Sequence, residues 1–232
     1  MTAKEARKKL HSLADPAFAA SAARFFKKEH TGDDVCLGLR APTLRQLAKE
    51  FRALALAEVE SLLHSQVHEE RTLALLVLGL HVHRATDAVR KAVCDFYLAN
   101  SRHVNNWDLV DVSAPPLLGA CLFDRSRKPL YTLAKSANLW ERRIAIVATQ
   151  YFIRQQDYAD TLKIAKLLLN DQEDLIHKAV GWMLREVGKR DQPTLEGFLR
   201  EHAAAMPRTA LRYAIERFPE PQRRAYLRGT IA

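Results

Sequence analysis

At 232 residues, 48% hydrophobic and 27% charged, the chain has the ordinary composition of a folded soluble protein, long enough for one sizeable core or one array of repeats. Its 8 Gly and 9 Pro are too few for the many turns of an all-β protein, so long helices with short connections are expected. The 36 Lys and Arg outnumber the 27 Asp and Glu, and the net charge of +9 points to a polyanionic partner.

The N-terminus is basic and Ala-rich but has no signal-peptide core or cleavage site, and its pattern predicts a structural first helix. Amphipathic segments cover Ala3 to Leu13 and Pro16 to Lys28, the second entered through Asp15 as N-cap and Pro16 at the first helical position. Phe25 and Phe26 close it, and a Gly-containing loop follows over residues 30–42. A helix from Pro42 or Thr43 to Phe51 puts Arg45 and Lys49 on one face. Further helices are expected at Leu56 to Ser65, Glu69 to His81, Thr86 to Ala99, Asn106 to Leu122, Pro129 to Ser136 and Leu139 to Gln155. Ala159 to Leu169, Glu173 to Gly188, Thr194 to His202 and Thr209 to Phe218 complete the series. The longest apolar run, Leu73 to Leu80, is too short to span a bilayer. Cys36, Cys94 and Cys121 are scattered through apolar contexts with no C-x-x-C pair, as buried thiols of a reducing compartment are, so a cytoplasmic location is expected.

A period runs through the helices. Trp107 follows Arg71 by 36 residues, Arg143 follows Trp107 by 36, and Lys178 comes 35 later. Helix pairs of this length stack into a curved α-solenoid, with one helix of each pair lining the concave side. Four residues after these openers stand Leu75, Asp111, Val147 and Trp182. Asp111 is an acid where two sister positions are aliphatic and one is aromatic, and it shares a helix face with Trp107. An acid replacing a packing residue is a candidate for chemistry.

Arg143 either makes a surface salt bridge or presents a fixed guanidinium to a phosphate or to the Asp111 carboxylate. Trp182 follows Gly181, which signals close approach of something to the backbone, in a repeat array another helix. Six arginines after Met206, including Arg208 and Arg212, face only Glu216 and Glu220, which suits a basic terminal helix against a phosphate backbone. Phosphate-binding glycine loops and H-E-x-x-H are absent from the sequence. His64 and His68 are four apart but have no evident third ligand and read as a solvated helix face, so no metal is expected.

Four segments together carry a family resemblance: residues 37–47, Asn106-Trp-Asp-Leu-Val-Asp111, Trp140-Glu-Arg-Arg-Ile-Ala145, and His177-Lys-Ala-Val-Gly-Trp-Met-Leu-Arg-Glu186. In these the chain resembles the AlkD family of DNA alkylation-repair glycosylases. The resemblance implies an all-α, right-handed solenoid of HEAT-like repeats, one curved domain over residues 1–232 with a basic concave face. It implies that Trp107, Asp111, Arg143 and Trp182 are active-site residues. Phe25 falls where an aromatic, often Tyr, lines the site; the stacking face is kept and the hydroxyl lost. Arg45, Arg142, Lys178, Arg185, Arg208 and Arg212 are the basic residues expected to contact DNA.

The implied reaction is hydrolysis of the N-glycosidic bond of cationic alkylpurines such as 3-methyladenine and 7-methylguanine in double-stranded DNA. Such a base already carries positive charge and leaves without protonation, so one carboxylate suffices where glycoside hydrolases place two. Asp111 would stabilise the charge developing on the deoxyribose and orient the attacking water. A monomer is expected, with no cofactor and no membrane. The alternative expectations are a non-catalytic binder of DNA structure and a scaffold for acidic proteins.

Overall fold

The structure is a computed structural model that describes residues 1–22 and 34–231; Phe25 and Phe26 lie outside the described residues. These residues form helices joined by short connections, with one isolated β-bridge between Val35 and Val67 and no strand among them. No described helix is long and apolar enough to cross a membrane. Two compact units divide between Cys121 and Leu122, and each is built around one 15-residue helix.

The first unit holds Ala3–Ser12 (α1), Pro16–Ala22 (α2), Ala41–Glu50 (α3), Leu56–Leu63 (α4), His68–Val82 (α5), Asp87–Ala99 (α6) and Trp107–Ser113 (α7). Helix α5 is central because it is apolar on nearly every side: Leu73, Leu75, Val77 and Leu78 are all buried, and α1, α3, α4, α6 and α7 pack around it. Its first turn is the opposite, four consecutive buried polar residues, and each holds a different piece of chain. Glu69 accepts the backbone N–H groups of Leu37, Gly38 and Leu39 at 2.8, 2.7 and 3.2 Å. Glu70 accepts from Arg7 of α1 at 2.9 Å. Arg71 donates to Asp34 and, at 2.6 Å, to the Ser65 carbonyl. His68 meets Asp108 of α7 at 2.8 Å. Buried charge is tolerated here because each group has a hydrogen-bonding partner. Gly38, at φ +84°, is needed in the Glu69 cradle, since any Cβ there would collide with the backbone of Asp15 and Ala19.

The second unit holds Lys128–Ala134 (α8), Leu139–Ala148 (α9), Gln150–Arg154 (α10), Ala159–Leu167 (α11), Asp174–Gly188 (α12), Gln192–His202 (α13), Arg208–Ala214 (α14) and Glu220–Arg228 (α15). Helix α12 is its centre, burying Ile176, Ala179, Val180, Met183, Leu184 and Val187 against α9, α11, α13 and α14. The close approach that Gly181 signals is made by α14: a Cβ would run into the Ala210 carbonyl and lie 2.5 Å from the Tyr213 Cβ. Beside α8, Arg127 bonds Asp157 at 2.7 Å and Asp160, lies 4.2 Å over the Phe152 ring, and so ties the start of α8 to α11.

Three expected helices are interrupted. The one from Asn106 becomes π-helical over Ala114–Gly119, where Pro115 and Pro116 supply no N–H to the ladder and the Ala120 N–H bonds the Pro115 carbonyl five residues back. The one from Leu139 breaks at Thr149, whose hydroxyl donates to the Ile146 carbonyl at 2.6 Å and competes with the helix. The basic terminal stretch is two helices rather than one: the first ends at Ala214 with Ile215 as its C-cap, and Pro219 as N-cap with Pro221 in the first turn opens the second.

Candidate functional site

In the first unit, α7 carries Trp107 and Asp111. Asn106 caps the helix by accepting the Trp107 N–H at 2.7 Å, and its first turn is fixed by Asp108, which accepts the Leu109 N–H at 2.9 Å while meeting His68. Asp108 is therefore tied to the core helix while its side chain stays 30% exposed. The helix buries Leu109, Val110 and Ser113, which leaves Trp107 and Asp111, one turn apart, on its flank. Trp107 is 37% exposed and Asp111 half-buried. Of the four positions in the repeat register, Leu75 and Val147 are core residues, while Asp111 and Trp182 are half-buried.

Beneath the helix lies Tyr97, fully buried, its hydroxyl 3.0 Å from Ser113 Oγ, which in turn donates to the Leu109 carbonyl at 2.5 Å. Burial, augmented by the Asp111 charge, raises the Tyr97 pKa, so the phenol stays protonated and donates to Ser113. Buried Asn106 leaves its Nδ2, and Asn105 its Oδ1, without a hydrogen-bond partner among the described residues. Arg45 is exposed on α3.

In the second unit, Arg143 of α9 is 5% exposed and donates to the Leu175 carbonyl at 2.7 Å, which locks it against the start of α12. Lys178 sits 2.8 Å from Asp174, one turn earlier. The hydrogen bond to that carboxylate, with its charge, raises the Lys178 pKa against partial burial and the opposing charge of Arg143. Trp182 follows one turn later, half-buried. Arg142 is committed within the protein, to Asp171 at 2.6 Å and to the Ser136 and Ala137 carbonyls. Arg185 pairs with Glu216. Arg208 and Arg212 are exposed on α14.

His64 and His68 do not share a face. His64 ends α4, bonds Asn100 at 2.6 Å and stacks on His103, whereas His68 is buried at the start of α5. No group of three or more His, Cys, Asp or Glu among the described residues is placed to hold a metal ion. Sequence reasoning missed His68, Tyr97 and Tyr213, because each acquires its neighbours only through helix packing.

The sequence charge is unevenly divided. Residues 1–121 hold 16 Lys and Arg against 14 Asp and Glu, net +2; residues 122–232 hold 20 against 13, net +7.

The profile of a family described as DNA alkylation repair enzyme matches residues 6–218. A solved structure described as a predicted DNA alkylation repair enzyme from Enterococcus faecalis superposes with a TM-score of 0.69 at 20% identity, covering 89% of this chain and 97% of that one. The two share a fold, the all-α solenoid expected from the repeat period. No curated protein sequence matches the chain.

Proposed function

The chain belongs to the DNA alkylation repair enzyme family, and from that premise we propose that it is a monofunctional DNA glycosylase. Its substrates are cationic alkylated purines, 3-methyladenine and 7-methylguanine, in double-stranded DNA, so it opens base excision repair. The observation that carries this reading is the pair on α7: a half-buried carboxylate, Asp111, one turn from an exposed indole, Trp107. The indole face attracts a cationic nucleotide, at roughly 0.5–2 kcal/mol. The carboxylate opposes the positive charge that grows on the deoxyribose as the bond breaks, and it takes the proton of the attacking water.

Water attacks C1′ and its oxygen bonds there. The C1′–N bond breaks with its electron pair going to the purine, which leaves neutral because it began cationic. The rigid support of α7, through the Asn106 cap and the His68–Asp108 contact, favours a preorganised carboxylate. In the second unit, the ring face of Trp182 and the locked guanidinium of Arg143 are the groups that this reading assigns to the reaction. Arg45, Lys178, Arg208 and Arg212 are the phosphate contacts: Lys178 stays 42% exposed beside Asp174 and Arg208 is exposed while donating to the Leu227 carbonyl, whereas Arg142 and Arg185, paired with Asp171 and Glu216, are at most 17% exposed.

The test is chromatography of the bases freed from methylated duplex DNA. Free 7-methylguanine and 3-methyladenine are expected; DNA binding with no base release would replace the glycosylase by a non-catalytic binder. Hypoxanthine, a neutral base whose departure needs a proton, is expected to stay in the DNA. Its efficient release would require a general acid that this site does not assign.

A further inference from the structure

Tyr213, on α14, is 36% exposed and is one of the few large side chains left open on the described surface. A single exposed tyrosine is ordinary. This one is held in place from two directions. Its Cβ is seated against Gly181 at the crossing of α12 and α14, a contact that any larger residue at 181 would break. Its phenol lies near enough to Lys178 for the two groups to interact electrostatically. Lys178, Gly181 and Trp182 lie within about one turn of α12, so Tyr213 packs against the turn that carries a lysine and a tryptophan. The next residue back, Arg212, is exposed. A rigid aromatic face among cations, in the unit that holds most of the net charge, is the arrangement by which proteins track a nucleic-acid strand.

We infer that Tyr213 is a DNA-contacting residue whose ring stacks on a nucleotide next to the phosphate that Lys178 holds. This rests on the reading that the protein binds DNA, and it adds a contact that none of the residues assigned above supplies. The chemistry asks for the ring, not the hydroxyl. The contact is therefore insensitive to salt, whereas that of Lys178 releases a counterion.

The test is fluorescence anisotropy of the full chain with a labelled duplex carrying one tetrahydrofuran abasic analogue, over a range of salt. Tyr213→Ala keeps the Cβ that packs on Gly181, and it is expected to weaken binding about tenfold with the slope of log K against log salt unchanged. Tyr213→Phe is expected to bind like wild type. Lys178→Ala is expected to lower the slope by about 1. Thermal melting of the Ala variant, expected to match wild type, separates lost contact from lost fold. Binding by Tyr213→Ala within twofold of wild type overturns the inference, as does equal weakness in Tyr213→Phe, which would put the contact on the hydroxyl. If wild type shows no salt-dependent binding at all, the DNA reading itself falls, independently of Tyr213.

Discussion

At Asp160 burial alone would raise the carboxyl, but hydrogen bonds from Tyr131 and Arg127, with the Arg127 charge, outweigh it and hold the group below the ordinary aspartate value. A depressed pKa in the folded state contributes stability that is complete above the unfolded value, about 4, and is lost as pH falls through the folded one. Asp160→Asn is accordingly expected to lose about 1–3 kcal/mol at neutral pH. The gap should narrow in acid, as pH falls from about 4 through the depressed folded value and wild type surrenders the same interactions. Urea denaturation at the two pH values checks this; a gap that persists in acid would assign the loss to packing. The neighbourhood of Asp160 was opaque in the sequence because Tyr131 and Arg127 lie about thirty residues away and meet it only after α8 and α11 pack. Trp107 and Asp111 were legible, since four-residue spacing alone puts them on one face of a helix. His68 was not: from the sequence it looked like half of a solvated pair, and only the fold carries it under α7.

At the scale of elements, the first turn of α5 does for the first unit what α12 does for the second. Glu69 satisfies three backbone N–H groups at once, so its loss strands three donors where water has little access. Glu69→Ala is expected to destabilise the protein by about 3 kcal/mol or more, read as a lower denaturation midpoint. A shift below about 1 kcal/mol would mean that the 37–39 segment is held by other means. The helices themselves were readable from apolar period, because a buried stripe recurs wherever a helix packs. Their interruptions were less so. Two prolines at 115 and 116 are visible in the sequence, but whether they stop a helix or shift it into a π-turn depends on the packing around Leu117 and Leu118. Thr149 gave no signal, since threonine tolerates a helix and breaks one only when its hydroxyl finds the i−3 carbonyl.

At the scale of the whole molecule, the net charge of +9 is mostly the second unit's. With Arg45, Lys178, Arg208 and Arg212 as phosphate contacts, affinity for duplex DNA is expected to fall roughly 100-fold between about 50 and 200 mM salt. A flat response would remove DNA as the partner of the basic surface. The composition alone pointed to a polyanion, but it could not say which cations are spent inside the protein, as Arg142 is on Asp171. The account as a whole stands on the carboxylate of α7. Its most direct test is single-turnover release of 7-methylguanine from methylated duplex by Asp111→Asn, with DNA affinity measured alongside. Release should slow by about 10²–10⁴-fold while affinity stays within a few-fold of wild type. Release by the variant at a near-normal rate would contradict the account.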